Sequence, residues 1–469
     1  MAMLLLATGQ AAYLAAAGHI LPATRPAARA VISAVAADSE DAYLAELEKT
    51  QLPEGFRVGV GGFVFSPFEL DDDARAVMNM TIISLDKPTS DFAAVFTRNR
   101  FPGAPVKVCK GRVAAGGAVQ AIVVNNKISN VCASGDGVAD SERVCEAAAA
   151  ALGLAGGGEA VLPLSTGVIG WKLPVDSMIE ALPATVDALC GGTALPAARS
   201  IMTTDRFPKL RSVKACGGTL VGFAKGAGMI EPDMATMLAF VLTDVAVPRS
   251  SLQAMLSRAA DVSFNCASVD ADQSTSDSLL CLSSGAVELA AGDAALKEFE
   301  SALTSLCTLL SEDVVRNGEG TTHVIRVRVI GAPTFELARG VGKSVVNSPL
   351  FKSAVAGNDP NVGRLVSTVG SYLGRTAPEL PLDGASMKMG GRVIFQKGTF
   401  QMDAAAEDEL YAHMKDGLLS AVDGTSLPYP PHERCVEIEV DLAAGDAECT
   451  VHGSDLTKEY VAINADYRS

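Results

Sequence analysis

The residues of this 469-residue chain best placed to do chemistry lie in one stretch, Lys225-Gly-Ala-Gly-Met-Ile-Glu-Pro-Asp-Met-Ala-Thr-Met-Leu-Ala-Phe240. A glycine-rich, proline-broken loop delivers one hydroxyl, that of Thr236, onto the front of an apolar run from Met237 to Leu242. Gly226 and Gly228 permit backbone angles that other residues avoid, while Pro232 fixes its own φ and pushes Glu231 towards extended geometry. Such a loop is one way to aim a nucleophile. On pattern alone the plainer reading, a loop entering a core strand, is the better one, because short motifs recur by chance. Histidine chemistry has little to build on: the five histidines stand at 19, 323, 413, 432 and 452, none in a glycine-rich turn. The ten cysteines (109, 132, 145, 190, 216, 266, 281, 307, 435 and 449) form no C-x-x-C pair. That spacing fits small core hydrophobes in a reducing compartment better than a disulfide or zinc framework.

A chain of this length exceeds the usual single core, so two or three domains are expected. Hydrophobic content of 48% with 20% charge fits a globular enzyme and excludes a mainly disordered chain. The net charge of −16 argues against a nucleic-acid partner, which calls for a basic face. Residues 1–40 stand apart, alanine-rich with Arg25 and Arg29 as the strong charges before Asp38. This composition reads as an organellar transit peptide; a secretory signal or membrane anchor fits less well, lacking a basic start and interrupted by Gln10 and His19. No later run approaches about 18 apolar residues, so no membrane span is expected.

From Gln51 onward, short apolar runs alternate with glycine-rich turns, which predicts strands at 55–64, 78–85, 93–97, 118–124 and 160–164. Helices are expected at 140–152 (Ser141 as cap, Gly153 as stop), 174–189 and 251–262. The clearest helix lies between Asp293 and Val315, where Leu296, Phe299, Leu303, Leu306 and Leu310 make one apolar stripe. In the strand expected at 322–330, Ile325, Val327 and Val329 alternate with Arg326 and Arg328. The whole predicts an α/β or α+β protein of layered sheets and helices. A composition shift at 341–348 marks a boundary between a catalytic sandwich domain (45–340) and a smaller C-terminal α/β domain (341–469).

The stretch 225–238 closely resembles the signature of the ornithine acetyltransferase, or glutamate N-acetyltransferase, family of arginine biosynthesis. Supporting blocks follow in order: Ala93-Ala-Val-Phe-Thr-Arg-Asn99, Ser165-Thr-Gly-Val-Ile-Gly170, Met202-Thr-Thr-Asp205, Ser263-Phe-Asn265, Asp270-Ala-Asp-Gln-Ser-Thr-Ser-Asp277, Asn358-Asp-Pro-Asn-Val-Gly-Arg364 and Ile463-Asn-Ala-Asp-Tyr-Arg-Ser469. The resemblance runs from about Leu52 to the last residue. It implies a layered α-β-β-α sandwich of the type shared with N-terminal-nucleophile aminopeptidases. It also implies self-cleavage at Ala235–Thr236 into an α chain (1–235) and a β chain (236–469), assembled as an α2β2 heterotetramer.

The residue types make sense of that chemistry. A hydroxyl can attack its own preceding carbonyl, and small Ala235 leaves that carbonyl accessible. Once freed, Thr236 carries both a nucleophilic hydroxyl and an α-amine of pKa about 7.7–8.0, low enough to act as its general base. No histidine is needed. The resemblance implies transfer of acetyl from N-acetylornithine to Thr236 and on to glutamate, with no bound cofactor and no metal; some members also take acetyl-CoA as a donor. It assigns Thr166 and Gly167 to the oxyanion hole, and Thr203, Lys225, Thr236, Glu319, Asn464 and Ser469 to substrate binding. Lys225 suits a substrate carboxylate, Glu319 suits the amine end of ornithine, and the kept spacing of the tail implies that it folds into the site. Departures occur at Arg206, in Asn125-Asn-Lys-Ile-Ser-Asn-Val131 with Lys127, at Ala271, and at Val362. They leave substrate preference less defined than self-cleavage. An N-terminal-nucleophile aminopeptidase or amidohydrolase of the same fold, and an uncleaved non-catalytic paralogue, are the alternatives. The expected destination is an organelle, the plastid stroma favoured and the mitochondrial matrix the alternative, although the leader itself does not separate the two.

Overall fold

The computed structural model describes residues 39–71, 73–231, 237–419 and 433–465. Apart from its last two residues, the expected leader lies outside them. The first sheet has the order β1-β2-β4-β5, from β1 (Phe56–Phe65), β2 (Ala76–Thr89), β4 (Val119–Asn125) and β5 (Val161–Ser165). The second has the order β3-β10-β8-β7-β6, from β3 (Phe92–Phe96), β10 (Ser278–Val287), β8 (Leu238–Val245), β7 (Gly218–Lys225) and β6 (Lys209–Ala215). One apolar cluster takes Ile83, Ile122 and Leu162 from the first sheet and Phe223, Phe240 and Leu280 from the second, so the sheets face one another. The opposite face of the first sheet packs on α3 (Gly137–Leu152) and α4 (Val175–Asp187). That of the second packs on α6 (Arg249–Val262) and α7 (Asp293–Arg316). This is the expected α-β-β-α sandwich. Three further helices, α1 (Glu40–Glu48), α2 (Ala104–Ala115) and α5 (Leu195–Ser200), close its sides.

β7 and β8 are buried along their whole lengths, which is why the run after Thr236 reads as continuously apolar rather than alternating. Phe223 and Phe240 lie opposite one another in register and stack, centroids 5.0 Å apart. The stripe on α7 is confirmed: Phe299, Leu303, Leu306 and Leu310 are buried and Leu296 packs at the margin. α3 begins earlier than expected. Its cap is Asp136, which accepts from the Val138 and Ala139 amides, while Ser141 is buried and donates to the Gly137 carbonyl. Gly153 ends the helix in the left-handed conformation.

The third sheet runs β14-β13-β12-β15-β11-β16-β9. Its strands are β9 (Ala267–Ser268), β11 (Val324–Ala332), β12 (Ser386–Met389), β13 (Arg392–Gln396), β14 (Thr399–Phe400), β15 (Val436–Asp441) and β16 (Ala447–Ser454). Residues of α8 (Phe335–Val346), α9 (Pro349–Ala356), α10 (Val362–Thr376) and α11 (Ala404–Asp416) join its core. Ile325, Val327 and Val329 are fully buried, whereas Arg328 reaches solvent and pairs with Glu439 and Glu448. The composition shift at 341–348 falls within and just after α8, so this sheet already begins upstream of it. Helix α12 (Lys458–Ala465) returns to the sandwich. No helix among the described residues is long and apolar enough to cross a membrane.

Candidate active site

Strand register decides where the chemistry-bearing residues meet. β4 and β5 run parallel and end level, Asn125 opposite Ser165, with Asn125 Nδ2 donating to Ser165 Oγ at 2.6 Å. In the second sheet Lys225 ends β7 opposite Leu238 of β8, and Leu238 lies opposite Ser278 of β10. The loops at these strand ends enclose a cavity of about 260 Å³. Thr166, Gly167, Thr203, Lys225, Glu319 and Asn464 all line it. Residues that the resemblance assigns, from five separate points in the chain, thus converge. Ala235, Thr236 and Ser469 lie outside the described residues. Met237, next after Thr236, lines the cavity, and its carbonyl accepts from the Ser278 amide at 2.9 Å.

The turn after β5 presents two donors. Gly167 has φ +121°, and a Cβ there would sit 2.1 Å from the Lys127 carbonyl oxygen, so only glycine fits. The flanking amides are committed, Thr166 to the Asn125 carbonyl and Val168 to that of Lys127. Among the described residues nothing accepts from the Gly167 amide. Lys225 Nζ donates to Thr166 Oγ1 at 3.1 Å, which fixes the hydroxyl oxygen and leaves its proton to be donated elsewhere. A hydroxyl and a backbone amide aimed into one cavity suit a developing oxyanion.

The cavity's charges are held from behind and from the side. Burial pulls the pKa of Lys225 below that of a free lysine, against the opposing pull of Asp205, Asp277 and Glu319. Asp205 is itself buried, which would raise its pKa. The Lys209 and Lys225 ammoniums and the Gly226 amide outweigh that and bring it from 3.8 to about 2. It is ion-paired with Lys209 and accepts from the Gly226 amide at 2.7 Å and the Thr203 amide at 3.0 Å. One carboxylate therefore ties β6, the end of β7 and the Thr203 turn together. On the far wall Asn464, from α12, donates to Glu319 Oε2 at 2.7 Å, and the Glu319 amide donates to the Ala227 carbonyl.

The loop 225–231 uses its glycines in two ways. Gly226 takes a positive φ of 149°, as expected. At Gly228 the requirement is space, because a Cβ would lie 2.3 Å from Glu319 Oε2; the left-handed angle falls on Met229 instead. Asp270 holds that turn by accepting from the Met229 and Ile230 amides, and the Tyr460 hydroxyl of α12 donates to the same carboxylate. The block 270–277 supplied a resemblance but no individual roles. Thr275, Ser276 and Asp277, which line the cavity, and Asp270, which holds the loop beside it, are the residues that sequence reasoning did not single out. A polar run placed just before the buried β10, as the Thr236 loop is placed before β8, was the available signal. Of the departures, Arg206 is exposed and lies over the Phe207 ring, Val362 packs with the core of the third sheet, and Lys127 meets Gly167 through its backbone. None of these three lines the cavity. The described histidines, 323, 413 and 452, do not line it either.

The ArgJ family model matches residues 72–469 of the chain. The arginine biosynthesis bifunctional protein ArgJ 2 of Clostridium acetobutylicum is 36% identical over 375 residues, spanning 80% of this chain and 89% of that protein. The glutamate N-acetyltransferase Oat2 of Streptomyces clavuligerus is 37% identical over 415 residues, spanning 88% and 98%. Among solved structures, that of ornithine acetyltransferase complexed with ornithine from Mycobacterium tuberculosis is 31% identical with a TM-score of 0.34, over 40% of this chain and 96% of that one.

Proposed function

The chain belongs to the ArgJ family, and from that premise we propose that it transfers acetyl from N2-acetyl-L-ornithine to L-glutamate through an acetyl-Thr236 intermediate. The observation that carries the reading is the convergence of Thr166, Gly167, Thr203, Lys225, Glu319 and Asn464 on one cavity that Met237 also lines. Cleavage of Ala235–Thr236 supplies the free α-amine. That amine takes the proton of the Thr236 hydroxyl as its oxygen attacks the acetyl carbonyl. The oxyanion faces the Thr166 hydroxyl and Gly167 amide, and collapse expels ornithine, its amine taking the proton. Glutamate's amine then attacks the ester and leaves as N-acetylglutamate, restoring the hydroxyl. Glu319, steadied by Asn464, suits the side-chain ammonium of ornithine; Lys225 suits a substrate carboxylate.

The names of the relatives support arginine biosynthesis as the setting; assembly of the cleaved chains as α2β2 belongs to the same proposal. The leader's composition supports import into an organelle, with the plastid stroma as the favoured destination and the mitochondrial matrix as the alternative, and import of a fluorescent fusion separates the two. Acetyl-CoA as a second donor is tested by incubation with glutamate alone: absence of N-acetylglutamate leaves a single activity. The principal test supplies purified protein with N2-acetylornithine, with and without glutamate, and separates the products by chromatography. Ornithine and N-acetylglutamate in equal amounts are expected. Ornithine with acetate, whether or not glutamate is present, would make the protein a hydrolase instead.

A further inference from the structure

Among the described residues, the charged side chains lining the cavity are the ammonium of Lys225 and the carboxylates of Asp277 and Glu319. This balance suits acetylornithine, which carries one carboxylate and one side-chain ammonium. It does not suit an amino dicarboxylate, whose second carboxylate meets no further cation among the described lining residues. The same cavity must hold both in alternate half-reactions, so the acceptor's extra carboxylate requires uncharged donors.

Two hydroxyls are available on the wall formed by the start of β10. Ser276 is 6% exposed, and its Oγ is buried without a hydrogen-bond partner among the described residues. The neighbouring Thr275 Oγ1 is likewise buried and unpartnered. Three other hydroxyls of the lining have partners: Ser129 Oγ donates to the Val168 carbonyl, Ser274 Oγ accepts from the Ser276 amide, and Thr166 Oγ1 accepts from Lys225. A buried hydroxyl with no partner is disfavoured unless something arriving in the cavity completes it. A serine hydroxyl is also a rotor, able to donate to a carboxylate or accept from an ammonium, so it serves the acceptor without repelling the donor. Its place follows from register: the Ser278 amide two residues on is bonded to the Met237 carbonyl, which sets this wall beside the strand that Thr236 precedes.

We propose that Ser276, assisted by Thr275, is the contact that receives the second carboxylate of the amino dicarboxylate acceptor. The inference rests on the acetyl-transfer reading above. The experiment is two-substrate kinetics on the full chain, comparing wild type with Ser276→Ala, Ser276→Thr and Thr275→Val, alongside mass measurement of acetyl-enzyme formed from N2-acetylornithine alone. Ser276→Ala should raise the KM for glutamate roughly ten- to hundredfold, the worth of one hydrogen bond to a charged group. Its KM for acetylornithine and its acetyl-enzyme yield should match wild type, which also reports that it is folded. Ser276→Thr, which keeps the hydroxyl, should recover most of the loss, and Thr275→Val should shift the glutamate KM in the same direction by less. An unchanged glutamate KM in both Ser276→Ala and Thr275→Val, or equal shifts for the two substrates, overturns the proposal alone. Absence of acetyl-enzyme in the wild type overturns the acetyl-transfer reading and this inference with it.

Discussion

Lys225 points its ammonium at the Thr166 hydroxyl, so its removal would alter the proposed oxyanion donor as well as the proposed contact with substrate. Lys225→Ala is therefore expected to lower kcat as well as raise KM, while a residue that only held substrate would raise KM alone. The fold should persist, because Asp205 keeps its bond to Lys209. Thr166→Val should lower kcat by about 10²–10³-fold, as removal of one oxyanion donor does elsewhere. A change confined to KM would take Thr166 out of that role. Asp205→Asn, by contrast, leaves Lys209 and Lys225 buried without their shared counter-ion and should cost roughly 3–5 kcal/mol, read from the denaturation midpoint. The same residue sets a pH dependence. Its folded pKa of about 2 lies below the ordinary 3.8, so the ionised form favours the native state. That stability is fully present above the ordinary value and is lost as pH falls from about 4 to about 2. In Asp205→Asn this part of the acid transition should be missing.

The elements differ in how far they could be read from the chain. β8 and α7 were legible because each declares itself locally, one by an unbroken apolar run and the other by an apolar stripe at helical spacing. The site residues were legible one at a time through resemblance. Their meeting was not, since it depends on three strand ends falling level at Lys225, Leu238 and Ser278, and register between distant strands leaves no local trace. Asp205 and Asp270 escaped for a related reason: each acts by accepting backbone amides that only the fold brings near. The cap of α3 was misplaced because Asp136 and Ser141 are both good capping types, and tertiary burial of Ser141 decided between them. At this scale Gly228→Ala is informative, because its backbone angle is ordinary and the added methyl collides with the end of the Glu319 side chain. The carboxylate should swing away from Asn464, raising the KM for acetylornithine with the fold and the denaturation midpoint intact. Unaltered kinetics would remove Glu319 from substrate binding.

Across the whole molecule, the two facing sheets supply opposite walls of one cavity, and α12 lends it Asn464 and a tyrosine clamp on Asp270. Residues on both sides of the proposed cut therefore remain in one site, so cleavage need not separate them. A denaturing gel should show two bands for the wild type and one for Thr236→Ala. The proposed nucleophile is tested most directly by mass spectrometry after brief exposure to N2-acetylornithine without glutamate. The expected fragment begins at Thr236 and carries one acetyl group on that residue, which disappears when glutamate is added. An uncut chain, or a Thr236 that stays unmodified while acetyl reaches glutamate, would contradict the mechanism.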